Sequence, residues 1–297
     1  MAKSIAIVVT TRNEEKSIHN LLESVVIQTK TPNEVIILDA ESTDETRKII
    51  RSYKSKIKGL KLIKSRLVNR SKGRNRAIRE AKSNIIAVTD AGCMLKKDWL
   101  EKITHPILTK EAQAVAGFYL TSNSTVLEKS SAPFLAVMPD KIDPDEFLPS
   151  SRSIAFTKRA WKEAGKYPED VSYCEDLTFA QNLKLKNDLV VQPRALVYWD
   201  HYKGINKFFH QIKNYASGDV EARHIPHLYK IMTVYVRYLL FIILNPLFFL
   251  YLLWPIYKHY KYVKHPFAII TLPTFQLLTD FGILLGSITA LVKRVGI

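Results

Sequence analysis

Four acidic side chains stand at points where an apolar or helical segment of the sequence begins or ends. Asp39 and Asp90 each close a short run of β-branched and aliphatic residues, and Glu175 and Asp176 stand together before a run with helical spacing. Carboxylates hold divalent metal ions and accept protons from hydroxyl groups. Two acids in the first turn of a helix also have an ordinary structural explanation, since the helix dipole favours negative charge there. The residues alone leave both explanations open for this pair.

Polar and basic residues occupy the turns beside these acids. They are Thr11, Arg12, Asn13 and Glu14 after the first apolar run, Glu41 after the second, and Lys72, Arg74 and Asn75 at the start of a basic helical segment. Guanidinium and ammonium groups bind phosphate through charge-assisted hydrogen bonds. The basic members are therefore candidates for contacts to phosphate or ribose. The alternative is an ordinary solvated loop and helix end.

Five apolar runs alternate with charged segments of helical spacing. The predicted strands are 4–9, 35–38, 60–63, 85–89 and 114–120, and the predicted helices are 14–28, 43–55, 73–82 and 97–108. This alternation is typical of an α/β fold with a mainly parallel, Rossmann-like sheet and flanking helices. In such sheets ligands bind beyond the carboxyl ends of the strands, where the polar turns fall. Ser42 and Glu45, three residues apart, predict a capping box at the second helix.

Six short motifs follow one another along the chain in a recognisable order. They are Thr-Arg-Asn-Glu-Glu at 11–15, Asp-Ala-Glu-Ser-Thr-Asp-Glu-Thr at 39–46, Lys-Gly-Arg-Asn-Arg-Ala-Ile at 72–78, Thr-Asp-Ala-Gly at 89–92 with Asp-Trp-Leu at 98–100, Glu-Asp at 175–176, and Tyr-Ala-Ser-Gly-Asp at 215–219. With these motifs the chain resembles a family 2 glycosyltransferase of GT-A fold. The resemblance implies transfer of a sugar from a nucleotide diphosphate donor to an acceptor hydroxyl or phosphate.

The resemblance implies a nucleotide pocket at the ends of the first strands. It assigns the nucleotide base to Asp39 and the nucleoside pocket to Arg12, Asn13 and Glu14, while Lys72, Arg74 and Asn75 are candidates for phosphate or ribose. Further expected nucleotide contacts are Thr11, Glu41, Asp90 and Ala91. Many family members have two consecutive acids at the end of the second strand. Here Ala40 follows Asp39, so a preference for uracil over guanine does not carry over.

The resemblance also implies a divalent metal ion and a general base. Asp90 is the expected anchor of Mg²⁺ or Mn²⁺, which meets the negative charge of the departing diphosphate. His201 matches a histidine that many such enzymes contribute to the metal, unless it is a buried residue bonded to the backbone. Gly92 stands where the family often supplies a second acid, and we expect weaker metal binding there. Asp176 matches the general base of an inverting displacement, and Glu175 is expected to orient it or to bind the acceptor.

Two apolar runs dominate the C-terminal part of the chain. No charged residue occurs over 238–257, and the run 266–292 contains only Asp280. About 20 apolar residues cross a bilayer core, so both runs are predicted transmembrane spans. The lysines between the runs would then lie outside, against the positive-inside tendency. A hairpin that dips into one leaflet without crossing is the alternative.

These patterns predict three segments. They are a GT-A catalytic domain over 1–202, an amphipathic juxtamembrane segment over 203–230 with Phe208 and Phe209 facing lipid, and a membrane domain over 231–297. Hydrophobic residues make up 47% of the chain, which excludes a disordered protein. No signal-peptide pattern precedes the first strand, so the catalytic domain is expected in the cytosol. The net charge of +16 suits an acidic membrane surface, and without an aromatic-basic RNA signature we expect no nucleic acid partner.

We therefore expect an inverting, metal-dependent glycosyltransferase of the cell membrane whose acceptor is a polyisoprenyl phosphate or a lipid-linked saccharide at the cytosolic face. One alternative is a sugar-phosphate nucleotidyltransferase, but the turn at 11–15 lacks the glycines of a phosphate loop. The other is a non-catalytic membrane or nucleic-acid binding module. Cys93 and Cys174 fit no zinc or redox spacing and are expected to be buried thiols.

Overall fold

The structure is a computed structural model and describes residues 4–66, 68–171, 173–223 and 225–295. The chain divides into two compact units. The sheet unit comprises the residues up to Leu120 together with Asp143–Trp199, and the helical unit comprises Thr121–Ile142 together with the residues from Asp200 onward.

The strands and helices of the described residues are numbered in chain order. The strands are β1 (Ile5–Thr11), β2 (Glu34–Ala40), β3 (Leu60–Ser65), β4 (Ile85–Asp90), β5 (Cys93–Leu95), β6 (Ala114–Thr121), β7 (Ile154–Thr157) and β8 (Leu189–Trp199). The helices are α1 (Ile18–Val26), α2 (Thr46–Ser52), α3 (Arg70–Glu80), α4 (Trp99–Leu108), α5 (Val126–Leu135), α6 (Lys158–Glu163), α7 (Glu175–Lys186), α8 (Ile205–Glu221), α9 (Ile225–Ile243), α10 (Pro246–Val263) and α11 (Ala268–Val295).

The strands form one sheet in the order β3-β2-β1-β4-β7-β6-β8-β5. The first four strands of the chain pair in parallel, whereas β7 pairs antiparallel with β4 and β6, and β5 pairs antiparallel with β8. The predicted α/β architecture with flanking helices is confirmed. The sheet is mixed because β7, which follows the irregular middle of the chain, enters it antiparallel.

Burial on both faces explains why β1, β2 and β4 form the centre of the sheet. Almost all of their residues are buried, as is usual for parallel strands covered by helices on both sides. On one face Ile78 of α3, Trp161 of α6 and Phe179 of α7 join the core. Phe179 stacks on Tyr167 with the ring centroids 4.1 Å apart. This packing fixes the first half of α7 on the sheet.

The register of the central strands brings predicted site residues to one edge. β1 lies between β2 and β4, with Thr11 beside Asp39 and Thr10 beside Asp90. Because these strands are parallel, their carboxyl ends lie at the same edge, where ligands bind in open α/β sheets. The turns that follow the three strands therefore share this edge, as the sequence predicts.

The turns after β1 and β2 are tied to each other by hydrogen bonds. The Asn13 N–H donates to Ser42 Oγ at 2.9 Å, and Asn13 Oδ1 accepts from the Thr43 N–H at 2.8 Å. The predicted capping box of Ser42 and Glu45 is wrong. α2 begins only at Thr46, and the Ser42 hydroxyl accepts from the neighbouring turn instead of capping the helix.

In the helical unit, α11 is covered by other helices near both of its ends. Near its start, Leu272 packs with Phe134 of α5 and Ile256 of α10. Near its end, Ala290 packs with Val220 of α8 and Ile231 of α9. The helix α11 therefore packs against helices α5, α8, α9 and α10 and lies at the centre of the packing in this unit.

α8 and α11 approach each other closely because α11 presents glycine at the crossing. A Cβ on Gly286 would lie 2.2 Å from the carbonyl oxygen of Lys213. A residue without a side chain at a helix crossing lets the two helix backbones come close together. Phe208 of α8 is buried against Phe275 of α11, with the ring centroids 4.8 Å apart. The prediction that Phe208 faces lipid is therefore wrong.

Asp280 stands in the middle of α11 and faces neighbouring helices. The residue is 1% exposed, and its carboxylate accepts hydrogen bonds from Arg237 of α9, Tyr251 of α10 and Gln276 of α11. An acid within an apolar helix is costly unless it is paired. These three donors supply the pairing.

The apolar run 238–257 is not one helix. α9 ends at Ile243 and α10 begins at Pro246, because proline has no N–H with which to continue the hydrogen-bond ladder of a helix. Within the described ranges, one helical stretch, Ala268–Lys293, is long and apolar enough to cross a membrane, judged by length and composition. The prediction of two spans is therefore not supported.

Candidate active site

The guanidinium of Arg74 lies between two acids from distant parts of the sheet unit. Arg74 Nη2 donates to Asp90 Oδ1 at 2.8 Å, and Arg74 Nη1 donates to Glu175 Oε1 at 2.7 Å. The partners are 16 and 101 residues away in the sequence. Because Asp90 ends β4 and Glu175 begins α7, one side chain of α3 joins three elements at this point.

The Arg74 pairing is largely removed from water. The side chains of Arg74 and Glu175 are 3% and 4% exposed, whereas that of Asp90 is 31% exposed. Burial lowers the pKa of Arg74, but the charges of Asp90 and Glu175 more than offset this effect and hold the pKa above its ordinary value. Burial also raises the pKa of Asp90, and Arg74 and Arg152 reverse that shift, so its pKa lies below the ordinary value. Asp90 is therefore an anion whose carboxylate is still partly open to a ligand.

Asp176 follows Glu175 in the first turn of α7. The chain enters this helix through Cys174, whose backbone is left-handed (φ 58°) and whose side chain makes no cap. Burial, and then the neighbouring charge of Glu175, raise the pKa of Asp176 above its ordinary value. A carboxylate with a raised pKa is better suited to take up a proton.

Arg152 is a site residue that the sequence analysis missed. β4 and β7 pair antiparallel up to Val88 opposite Ile154, and continuing this register places Arg152 opposite Asp90. The sequence signal was a basic residue directly before a short apolar run. That signal does not reveal which strand the run would pair with, so the position could be found only from the sheet.

Aromatic rings and a backbone amide fix the surroundings of Arg152. Its guanidinium carbon lies 3.7 Å from the ring centroid of Trp199 and 5.1 Å from that of Tyr119. The preceding amide, the Ser151 N–H, points at Asp176 Oδ2 at 3.5 Å. The Arg152 charge acts on both Asp90 and Asp176. One positive charge thus acts to lower the pKa of both acids, to which the resemblance assigns different roles.

Asp39 is fully buried at the end of β2. Its Oδ1 accepts the Ser42 N–H at 3.1 Å and lies 3.7 Å from Arg47 Nε. Among the described residues, neither Asp39 Oδ2 nor the neighbouring Thr11 Oγ1 has a hydrogen-bond partner, although both atoms are buried. Buried polar atoms are normally paired. This corner therefore has unused acceptor capacity that an N–H donor of a ligand, or a water, would satisfy.

The remaining predicted nucleotide contacts vary in exposure. Arg12, Asn13, Glu41 and Lys72 are exposed, Glu14 is half-buried and Ala91 is buried. The exposed side chains remain accessible to a ligand.

Asn75 has a structural task that differs from its predicted contact with ribose or phosphate. Its Oδ1 accepts from Trp161 Nε1 and from the Tyr167 N–H, each at 3.1 Å. Its Nδ2 donates to the Tyr167 carbonyl at 2.8 Å and to Glu169 Oε1 at 2.9 Å. These four bonds use both donors and both acceptor positions of the amide. Asn75 therefore ties α3 to the chain around Tyr167 and has no capacity left for a ligand.

The residues around Asp90 fit a metal site with few protein ligands. Among the described residues, no group of three or more His, Cys, Asp or Glu side chains could hold a metal ion. A Cβ on Gly92 would meet nothing within 4 Å, so open space lies where a second acid is absent. Mg²⁺ commonly takes only one or two protein carboxylates and completes its shell with phosphate oxygens and water. The carboxylate of Asp90 alone therefore supplies as many protein ligands as a Mg²⁺ ion bound to a diphosphate commonly uses.

His201 belongs to the helical unit. Its Nε2 lies 3.0 Å from the carbonyl oxygen of Glu128 and 3.1 Å from Ser131 Oγ. A carbonyl oxygen can only accept, so Nε2 carries a proton and has no lone pair for a metal. With the proton on Nε2, the lone pair of the ring lies on Nδ1. The contacts therefore fit a buried histidine bonded to the backbone, and they fit equally a metal ligand that donates its other ring N–H to a carbonyl, so the metal role of His201 stays a prediction.

The two cysteines are free thiols. Cys93 is buried, and burial raises the pKa of its thiol to about 12. A buried neutral thiol is what the sequence predicts for Cys93, whereas Cys174 is half-buried.

Two solved structures that contain a bound nucleotide sugar share this fold. The protein is similar to Staphylococcus aureus TarS 1–349 in complex with UDP-GlcNAc, with a TM-score of 0.57 and 21% identity over 72% of this chain and 65% of that chain. It is similar to the mannosyltransferase PcManGT from Pyrobaculum calidifontis in complex with GDP-Man and Mn²⁺, with a TM-score of 0.57 and 16% identity over 98% of this chain and 75% of that chain. The fold is that of the GT-A glycosyltransferases, as expected.

The sequence gives the family. Residues 6–164, more than half of the chain, match glycosyl transferase family 2, and the chain belongs to this family. A segment of 51 residues is 49% identical to the 4,4'-diaponeurosporenoate glycosyltransferase of Staphylococcus aureus (strain bovine RF122 / ET3-1). That segment spans 17% of this chain and 13% of the relative. The comparisons give no support to a nucleotidyltransferase or a non-catalytic module.

We predict that Asn75→Ala destabilises the sheet unit. The substitution leaves the Trp161 indole N–H and the Tyr167 N–H buried without acceptors, at about 1 to 3 kcal/mol for each group. Denaturant titration should therefore show a free energy of unfolding lower by about 2 to 6 kcal/mol. Lys72→Ala, on the same helix but exposed, should change it by less than about 0.5 kcal/mol. Unchanged stability of Asn75→Ala with weakened donor binding would instead indicate a ligand contact.

Proposed function

We propose that this protein is an inverting glycosyltransferase that moves a sugar from a nucleotide diphosphate donor to a lipid-linked acceptor. The observation that carries the proposal is the pairing of Arg74 with Asp90 and Glu175. This pairing joins Asp90, which is expected to face the diphosphate, to Glu175, which stands beside Asp176 and is expected to face the acceptor. Membership of glycosyl transferase family 2 supports the class of reaction.

The donor binds at the carboxyl ends of β1, β2 and β4. Asp39 accepts an N–H of the base through its unpaired Oδ2, and the exposed Arg12, Asn13 and Glu41 contact the nucleoside. Structures of fold relatives with UDP-GlcNAc and with GDP-Man support a nucleotide-sugar donor. They do not select the base, because they differ in it.

Positive charge is needed where the nucleotide diphosphate leaves. A divalent metal, Mg²⁺ or Mn²⁺, would be held by Asp90 and by the diphosphate oxygens, and it would supply charge to the leaving group. A fold relative bound to Mn²⁺ supports this requirement. Arg152, held over Trp199 beside Asp90, adds a fixed cation at the same place. A cation that is already positioned costs no reorganisation when the negative charge develops.

Asp176 acts on the acceptor. Its carboxylate takes the proton of the acceptor hydroxyl while the oxygen forms a bond to the anomeric carbon and the bond from that carbon to the diphosphate breaks. The buried ion pair of Arg74 and Glu175 holds the start of α7 in place for this step. If the acceptor is a phosphate monoester, with a second pKa of about 6, its oxygen is already largely anionic near neutral pH. Asp176 then positions the acceptor more than it deprotonates it.

A lipid-linked acceptor at the cytosolic face of the membrane is supported by two observations. One is the apolar C-terminal part of the chain, whose exposed aliphatic and aromatic side chains suit a lipid surface. The other is the name of a relative that glycosylates diaponeurosporenoate, although only a short segment matches it. Attachment to the membrane brings an enzyme to a substrate that is confined to the bilayer.

The proposal is tested by assaying sugar transfer from UDP- and GDP-sugars to a polyprenyl phosphate and to a membrane lipid extract, with Mn²⁺ or with EDTA. We expect transfer from at least one donor, lost in EDTA. With an acceptor that reacts through a hydroxyl group, Asp176→Asn should lower kcat/KM by about 10² to 10⁴-fold, the usual contribution of a general base. With polyprenyl phosphate, whose oxygen is already largely anionic, the loss should be smaller. The same substitution at the exposed Asp188, just beyond the end of α7, should leave activity unchanged. No transfer with any donor, or full activity of Asp176→Asn, would refute the proposal.

The open space at Gly92 leads to a gain-of-function prediction. Gly92→Asp adds a second carboxylate beside Asp90, where nothing obstructs a side chain. Mn²⁺ affinity in the presence of the nucleotide diphosphate should rise at least about tenfold, since even outer-shell partners change metal affinity by that much. Gly92→Ala occupies the space without a ligand and should have no such effect. Equal Mn²⁺ affinities for Gly92→Asp, Gly92→Ala and the unaltered protein would place the metal elsewhere.

A further inference from the structure

The helices α9 and α10 form an antiparallel hairpin with an apolar tip. Phe241 of α9 contacts both Phe248 and Tyr251 of α10, with ring centroids 5.6 and 5.3 Å apart. We call residues 238–257 the apolar tip, because no charged residue occurs between Arg237 and Lys258. The chain therefore turns back on itself in the middle of its most apolar run.

Many side chains of the apolar tip are exposed, whereas Tyr238 and Tyr251 turn inward to Asp280. Ile242 and Ile243 are 80% and 77% exposed, and Phe249, Leu250 and Trp254 are more than half exposed. Contiguous exposed apolar surface of this kind marks a binding surface for a protein or a membrane. Aliphatic and phenylalanine side chains at the turn, with tryptophan and tyrosine further back, match the order of residues from a bilayer core to its interface.

The arms of the apolar tip are too short to cross a bilayer. The six charge-free residues 238–243 of α9 extend about 9 Å, and the twelve residues 246–257 of α10 extend about 18 Å, at 1.5 Å per residue. A hydrocarbon core is about 30 Å thick, so one leaflet is about 15 Å. The tip reaches the depth of one leaflet.

The long helix α11 does not act as a separate span. α8 runs beside it from the contact of Phe208 with Phe275 to that of Val220 with Ala290. If α11 crossed the bilayer, α8 would be carried into it. α8 holds charged residues, namely Lys207, Lys213, Asp219 and Glu221. Such residues are strongly disfavoured in hydrocarbon.

Basic residues lie at the base of the hairpin, away from the apolar tip. Lys230 stands near the start of α9, and Lys258 and Lys264 stand at the end of α10, all of them exposed. Lysines at this position attract the anionic headgroups of a membrane surface. In a hairpin that enters and returns, they also stay on one side, which removes the conflict with the positive-inside tendency.

We infer that the α9–α10 hairpin inserts its apolar tip into one leaflet of an anionic bilayer and returns, so that the chain is anchored without crossing. The occupant of the exposed apolar surface is the lipid of that leaflet. The inference concerns attachment alone and stands whether or not sugar transfer is detected. It replaces the two crossing spans that the sequence predicts.

The side on which the end of α10 lies decides between insertion and crossing. Lys207→Cys on α8 and Lys258→Cys at the end of α10 would each be treated with a membrane-impermeant maleimide, in sealed inverted vesicles and in spheroplasts. Both positions are exposed. The parent chain, which already contains Cys93 and Cys174, gives the background labelling that is subtracted from that of each variant. We expect both variants to react from the same side of the membrane. Reaction of the two variants from opposite sides would overturn the inference.

The fluorescence of Trp254, a natural residue of the apolar tip, provides a second measurement for which no residue of the tip has to be replaced by a label. The other tryptophans, Trp99, Trp161 and Trp199, are at most 9% exposed and belong to the sheet unit. Lipids brominated along one acyl chain should quench the Trp254 fluorescence in phosphatidylglycerol vesicles, and Trp254→Phe should abolish that quenching. Absence of quenching, together with a stable dimer in which Trp254 is protected, would assign the surface to a second copy of this chain and refute the inference.

Discussion

The pairing of one buried guanidinium with two carboxylates determines how the site is built. Asp90 ends a strand and Glu175 begins a helix 101 residues from Arg74, so no local preference brings them together. Arg74 does so through two charge-assisted hydrogen bonds. Its pairing also makes it possible to bury negative charge beside Asp176, because an unpaired buried charge is destabilising by several kcal/mol. The positions of the acids at both ends of the proposed reaction therefore depend on the side chain of Arg74.

The sequence predicts well where the candidate acids lie in the sheet, because the constraint on their positions is local. Asp39 and Asp90 end strands whose apolar runs are short and unambiguous, and parallel pairing then brings both to one edge. The sequence does not reveal what the basic and amide side chains bond to. Arg74 and Asn75 match a ligand-binding motif equally well, yet the structure bonds both side chains to partners from distant segments, and it uses every hydrogen-bonding group of Asn75. Arg152 was missed for the same reason.

The C-terminal part shows a different limit of sequence reasoning. Composition predicts an apolar run of the correct length, but the break before Pro246 turns one apparent span into two arms of a hairpin. The hydropathy of α11 likewise suggests a span. It does not show that a helix with four charged residues packs beside it through Gly286. For both the run 238–257 and helix α11, hydropathy does not reveal which helices pack against each other, and that packing decides whether the segment can cross a membrane.

The most direct test of the central pairing is a double-mutant cycle between Arg74→Met and Glu175→Gln. The quantity measured for each of the four proteins is the free energy of unfolding. Arg74→Met leaves Glu175 buried without its partner and should lose about 3 to 5 kcal/mol, whereas Glu175→Gln leaves Arg74 paired with Asp90 and should lose less. Because the second substitution removes the group that the first left unpaired, the double variant should be more stable than the sum predicts by at least about 1 kcal/mol. Additivity within about 0.5 kcal/mol would show that the two side chains do not interact and would contradict this account.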